Sequence, residues 1–124
     1  MTGSLVTTAA RVTPLGVMGQ FLFAGLALFH DAAFWAFHGA LGGLLALPIG
    51  IVLFAAYRQE RHRTLLRPAG LLAVAYLVQL TLAGLGQATD IGALLALHLV
   101  NAGLVLGAAA NLADAAAGRG RAVA

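Results

Sequence analysis

Residues 33–57 read AFWAFHGALGGLLALPIGIVLFAAY, an apolar run that is followed at once by the basic segment RQERHRTLLRP at residues 58–68. At a rise of about 1.5 Å per residue, a helix of this length crosses the ~30 Å hydrocarbon core of a bilayer. Lipid offers no partner to an unpaired backbone amide, so an apolar run in lipid must be helical. The stretch therefore predicts a transmembrane helix that ends at a charged loop.

Three more apolar runs complete a pattern of four predicted helices, at residues 12–30, 33–57, 69–87 and 91–112. The links at Asp31 and Asp90 are short, which forces the helices on either side to be antiparallel. We predict an all-α membrane protein with a four-helix up-and-down bundle, in a single domain of residues 1–124. The first ten residues are expected to be solvated, Pro48 is expected to kink the second helix, and no internal repeat is evident.

The composition excludes an ordinary soluble domain. Hydrophobic residues make up 61% of the chain and charged residues 9%, whereas soluble domains average about 25% charged residues. The absence of cysteine excludes disulfides, thiolate metal sites and cysteine nucleophiles, and the absence of lysine excludes a retinal Schiff base. Arginine used without lysine in a chain rich in alanine, glycine and leucine is typical of a GC-rich bacterial genome. We therefore predict a multi-pass protein of the bacterial cytoplasmic (inner) membrane.

The arginines predict the orientation of the bundle. In this topology all seven fall on one side of the membrane: Arg11, Arg58, Arg61, Arg63, Arg67, Arg119 and Arg121. The positive-inside rule makes that side cytoplasmic, with both termini inside. The same rule accounts for the basic pI, so the bilayer is the expected partner of these charges and nucleic acid is not.

Two histidines lie within the predicted helices, where ionisable residues are costly and are candidates for function. His38 is about five residues into the second helix, and His98 is about seven residues into the fourth. These two helices run in the same direction, so the depths of the histidines differ by roughly 3 Å. Diagonal helices of a bundle present facing side chains to its core. The pair therefore predicts bis-histidine ligation of a metal, and with a porphyrin this is haem b.

Small residues next to the histidines suit a flat ligand. Gly42 is one turn after His38, and Ala102 is one turn after His98, so neither blocks a ring that stands over the imidazoles. Aromatic side chains that we expect to form the walls of the site are Phe21, Phe34, Trp35 and Phe37. Against this interpretation, the outer side has no arginine for the haem propionates, and a histidine taken alone in a transmembrane helix more often forms a hydrogen bond with a neighbouring helix.

Other polar residues have a structural and a functional interpretation. Gln20, Gln79 and Asn101 are expected to form hydrogen bonds between helices or to orient a ligating imidazole. His30 is expected in a wet turn and His62 in a solvated loop. The four acidic residues lie at helix ends or in loops, so we predict no catalytic residues and no hydrolytic site.

The motifs around the histidines resemble a known family. His38 with Gly39, Gly42 and Gly43, the segment from Gln79 to Gly86, and the segment from Leu97 to Ala102 are together similar to one half of haem A synthase. That resemblance implies a four-helix haem-binding bundle with His38 and His98 as axial ligands. It does not extend to the enzymatic activity, because the chain has one half only and no acid at the family's carboxylate position. The whole chain more closely resembles small bacterial four-helix membrane proteins of unknown function.

Two functions follow from the sequence. One is a small b-type haem-binding membrane protein for electron transfer, haem handling or haem sensing. The other is a cofactor-free membrane protein that packs against a larger membrane complex or forms a homo-oligomer, as glycine-lined helices allow.

Overall fold

The computed structural model describes residues 3–118, which are helical almost throughout and contain no strand. The helices are α1 (Gly3–Phe29), α2 (Phe34–Leu44), α3 (Ala46–Arg58), α4 (Leu66–Thr89) and α5 (Gly92–Ala116), with a 3-10 helix (Glu60–Leu65) before α4. Four stretches are long and apolar enough to cross a membrane, and we number them spans 1 to 4: Gly3–Phe29, Phe34–Arg58, Glu60–Thr89 and Gly92–Ala116. The predicted all-α fold with four transmembrane helices is confirmed, and the chain is a membrane protein.

Neighbouring spans pack in the order 1, 2, 3, 4 around the bundle. Helix α1 packs against α2, α3 and α5, while α4 packs against α3 and α5. Among the described residues, α5 makes no close backbone contact with α2 or α3. Spans 2 and 4 are therefore diagonal across the core, as the sequence predicts, and residues on their inner faces lie opposite each other.

Span 2 is interrupted at Leu45, where α2 ends and α3 begins. Pro48 has no N–H group to donate to the carbonyl of Leu44, so the regular helical ladder fails three residues before the proline. Beyond the break, the backbone of α3 packs against that of α4, whereas the backbone of α2 lies close only to those of α1 and α3. The predicted kink thus separates α2 from α4 in the half of the bundle that carries the Asp31 and Asp90 turns, which we call the aspartate end.

The close-packed core lies in the opposite half, the arginine end, which carries the loop of residues 58–68. Its largest fully buried apolar side chains are Val6, Val52, Leu72 and Leu112. The prediction of a solvated stretch over the first ten residues is wrong from Gly3 onward, because Val6, Ala9 and Ala10 pack into this core. Helix α1 consequently starts nine residues earlier than predicted.

The basic loop contains one unexpected residue. Around the 3-10 helix, Arg58, Arg61, Arg63 and Arg67 are exposed. However, the Nε2 atom of His62 is buried and has no hydrogen-bond partner among the described residues, so the prediction of a fully solvated His62 is wrong. Arg11 is exposed on α1, and Arg119 and Arg121 lie outside the described residues.

Candidate functional site

His38 lies on α2 and is held by the backbone of α1. Its Nδ1 atom is 3.0 Å from the carbonyl oxygen of Gln20, and the side chain is half-buried. A carbonyl oxygen only accepts hydrogen bonds, so Nδ1 carries the proton and Nε2 keeps its lone pair. The indole of Trp35 stands edge-on to the imidazole with ring centroids 5.5 Å apart. These contacts fix both the tautomer and the direction of the ring.

His98 on α5 is held in the same way by α4. Its Nδ1 atom is 3.0 Å from the carbonyl oxygen of Gln79, which fixes the same tautomer. In addition, the Gln79 side-chain nitrogen lies 3.2 Å from Nε2 of His98 and donates to it. The Gln79 side-chain oxygen accepts a 2.7 Å hydrogen bond from the Asn101 amide, which also donates to the carbonyl of Ala75 at 2.9 Å.

The two imidazoles approach each other across the bundle. Their ring centroids are 6.4 Å apart, and their planes make an angle of 62°. Two imidazoles bonded at about 2 Å to opposite sides of one metal ion have centroids roughly 6–6.5 Å apart. The centroid spacing of His38 and His98 is therefore close to that of two ligands that share one metal ion.

A cavity of about 700 Å³ surrounds the histidines at the aspartate end of the bundle. This volume lies within the range of small-molecule and cofactor sites. Within residues 3–118, no Asp, Glu, Lys or Arg lines it. The side chains with polar atoms that line it are Gln20, Trp35, His38, Tyr76, Gln79, Gln87 and His98. The remaining wall is apolar or glycine, so the cavity suits a large apolar ligand with a polar edge or centre.

Some residues that line the cavity are also exposed on the surface of the bundle. Gly39 and Gly43 of α2 and Leu80 of α4 line it and are exposed on the surface of the bundle. A side chain added at Gly39 or Gly43 would meet no described atom within 4 Å.

Most residues singled out from the sequence meet at this cavity. His38, His98, Gly42 and Ala102 all line it, as do Phe21 and Trp35. The expected wall residues Phe34 and Phe37 do not line it. They stack on Phe23 between α1 and α2, at centroid distances of 6.3 and 5.7 Å. His30 is exposed near the Asp31 turn, as expected.

Sequence reasoning missed two contributions to the site. The carbonyl of Gln20 orients His38, and no side-chain pattern reveals such a backbone contact. Tyr76 is buried at the cavity and donates a 2.7 Å hydrogen bond to the carbonyl of Gly42. The sequence does indicate a contact for Tyr76, because a tyrosine hydroxyl within an apolar helix needs a hydrogen-bond partner.

The two halves of the site are also two copies of one sequence pattern. Gln20, Ala24, Gly25, Leu26 and Asp31 recur at the same spacing as Gln79, Ala83, Gly84, Leu85 and Asp90. Ala33, Ala36, His38, Gly43 and Leu44 recur likewise as Ala93, Ala96, His98, Gly103 and Leu104. The prediction that the chain has no internal repeat is wrong. We call residues 20–44 the first hairpin and residues 79–104 the second hairpin; each provides one histidine that is bonded to the carbonyl of its own glutamine.

The donor set restricts the kind of metal group that fits. Within residues 3–118, no group of three or more His, Cys, Asp or Glu side chains is placed to hold a metal ion. A bare structural zinc ion takes four protein ligands, and two imidazoles do not provide them. A porphyrin brings four nitrogen ligands of its own and needs only axial ones from the protein.

Comparison with known proteins identifies a family but no activity. The family DUF6220, described as a family of unknown function, matches residues 20–90, which is more than half of the chain. The matched range includes Gln20, His38, Tyr76 and Gln79 and ends before His98. No curated protein and no solved structure gives a significant match, so no match supports the resemblance to haem A synthase.

Proposed function

Because this chain belongs to DUF6220, a family to which no function is assigned, we propose from the site alone that it is a small membrane protein that binds b-type haem between His38 and His98. Bound haem supplies one-electron redox chemistry, and the protein then serves in electron transfer, haem handling or haem sensing. No acidic side chain of the described residues lines the cavity for proton transfer. We therefore assign it binding rather than catalysis.

The observation that carries the proposal is the pair of oriented imidazoles. Both rings bond through Nδ1 to a carbonyl oxygen, and their centroids are 6.4 Å apart. Ligating histidines usually donate their second ring N–H to a carbonyl or carboxylate, which fixes the ring and makes the ligating nitrogen more basic. The fixed tautomers leave Nε2 as the nitrogen available for a metal in both residues.

The surroundings of the pair fit the group. Gly42 and Ala102 provide small surfaces beside the rings, and the apolar remainder of the wall keeps water away from a bound macrocycle. Trp35 and Gln87 line the same cavity. Their indole N–H and side-chain amide are donors for propionates, since no arginine of the described part of the chain lines it. One contact has to change on binding: the Gln79 side chain must leave Nε2 of His98.

The similarity of the histidine motifs to one half of haem A synthase supports the same ligand for His38 and His98 and nothing more. It adds no catalytic activity, since the departures noted above include the missing carboxylate. The spatial arrangement of the two hairpins supports the ligand independently of that resemblance.

The test is an absorption titration of detergent-purified protein with haem. Wild type is expected to bind one haem with a Soret band, and His38→Ala and His98→Ala are each expected to weaken binding by at least tenfold. His30→Ala is the matched control, because His30 is exposed outside the cavity. A Soret band that none of the substitutions changes would overturn the proposal. With no Soret band at all, the alternative of a cofactor-free subunit of a larger membrane complex becomes the better account.

A further inference from the structure

The two hairpins differ at one position that decides how the histidines are held. Asn101 follows His98 by three residues, and the equivalent residue after His38 is Leu41. Asn101 is only 8% exposed, and its amide is shared between the carbonyl of Ala75 and the side chain of Gln79. Leu41 has no polar group to offer to Gln20.

This difference changes the state of the two glutamine side chains. Gln79 is fixed at both ends of its carboxamide, with the oxygen on Asn101 and the nitrogen on His98. The side-chain nitrogen of Gln20 is buried and has no hydrogen-bond partner among the described residues. Consequently Nε2 of His98 is covered by an amide donor, whereas no residue of the described chain donates to Nε2 of His38.

We propose that Asn101 is a positioning residue that holds the Gln79 carboxamide over Nε2 of His98, so that Gln79 competes with the ligand for this nitrogen. The inference rests on the proposed function. It makes the two axial positions unequal: His38 is open to a metal, and His98 becomes available only after its hydrogen bond to Gln79 breaks. A site of this kind binds haem more weakly and releases it faster than its two histidines alone require.

The reciprocal test exchanges the residues at the differing position. Asn101→Leu copies the first hairpin into the second, and it is expected to free Gln79 and slow haem release. Leu41→Asn copies the second hairpin into the first, and it is expected to bring Gln20 onto His38 and speed release. A typical hydrogen bond contributes about 0.5–1.5 kcal/mol net, which corresponds to a change of roughly two- to tenfold in either direction.

Two further variants guard against a general loss of structure. Gln79→Ala removes the competing carboxamide and leaves the backbone carbonyl that orients His98, so it is expected to slow release as Asn101→Leu does. Asn111→Leu is the matched control on the same helix, because Asn111 is exposed, and its release rate is expected to equal that of wild type. Release is measured by transfer of haem to an excess of an apo-globin.

A second measurement needs no haem. In the haem-free protein, the 15N resonance of Nε2 of His98 is expected to show an accepted hydrogen bond, which is lost in Gln79→Ala and in Asn101→Leu. Wild type that binds haem, with release unchanged in both variants, overturns this inference and leaves the proposed function intact. Wild type without a Soret band overturns both, even if the 15N measurement detects the Gln79 contact.

Discussion

The hydroxyl of Tyr76 donates a 2.7 Å hydrogen bond to the carbonyl oxygen of Gly42. This bond joins span 3 to span 2 just before the break at Leu45, where α2 turns away from α4. Both residues line the cavity, and the bond fixes the position of Gly42, one turn after His38. The bond therefore connects the geometry of the site to the stability of the bundle.

Removing this hydroxyl is expected to destabilise the bundle. Tyr76→Phe leaves the ring in place and costs about 1 kcal/mol of unfolding free energy, in the range measured for hydrogen bonds between membrane helices. Unfolding by SDS in mixed micelles, followed by circular dichroism, measures the difference. Tyr57→Phe is the control, since Tyr57 is 66% exposed. Equal stability of Tyr76→Phe and wild type would show that this contact contributes nothing.

Filling the cavity is expected to prevent binding without unfolding the protein. Ala102→Phe places a large ring beside His98 in the space that a macrocycle needs, so haem binding is expected to fall at least tenfold. Gly103→Phe is the matched control, because Gly103 is the next residue, is exposed and has no described atom within 4 Å of an added Cβ. Undiminished haem binding by Ala102→Phe would show that haem does not bind in this cavity.

The buried Nε2 atom of His62 is expected to lower the stability of the folded protein. Its Nε2 atom has no hydrogen-bond partner among the described residues, and an unpaired buried polar group costs about 1–3 kcal/mol. We expect His62→Leu to raise the unfolding free energy by about 1 kcal/mol in the same SDS assay. His30→Leu, a change at an exposed histidine, is expected to leave it unchanged. A large loss of stability in His62→Leu would show that His62 has a partner.

The orientation of the bundle remains a prediction of the arginine distribution. Because the chain has no cysteine, an introduced cysteine is the only thiol in the protein that a maleimide can label. Its labelling therefore reports the side of the membrane on which it lies. Ala32→Cys, at the aspartate end, is expected to react with a membrane-impermeant maleimide in intact spheroplasts. Glu60→Cys, at the arginine end, is expected to react only after lysis. The reverse pattern would place the arginines outside.

Much of the fold follows from the sequence because the bilayer imposes strong constraints. Four apolar runs with short links leave one antiparallel arrangement, and the kink near Pro48 follows from its missing N–H group. The start of α1 was harder to predict. In helix α1, packing against other spans buries Val6, Ala9 and Ala10. The local hydropathy pattern of the sequence gives no information about that tertiary packing.

The site was predictable in part. The similar depth of His38 and His98 and their diagonal placement follow from counting residues along antiparallel helices. The carbonyl partners of the two imidazoles depend on how each helix is rotated about its own axis. The helices are similarly apolar on all sides, so the hydropathy pattern does not predict that rotation. The residues that repeat are present in the sequence, but most of the matches are between small or apolar residues that are common in this chain. The repeat becomes clear when the two hairpins are seen to make the same His–Gln contact.

The proposed function requires one haem iron to be held by His38 and His98 together. Electron paramagnetic resonance of the ferric, haem-loaded protein distinguishes this ligation from any other, because two imidazole ligands give a low-spin signal. We expect that signal in wild type and its replacement by a high-spin signal in both His38→Ala and His98→Ala. A high-spin signal in wild type, or a low-spin signal that survives both substitutions, would show that His38 and His98 do not ligate the iron together.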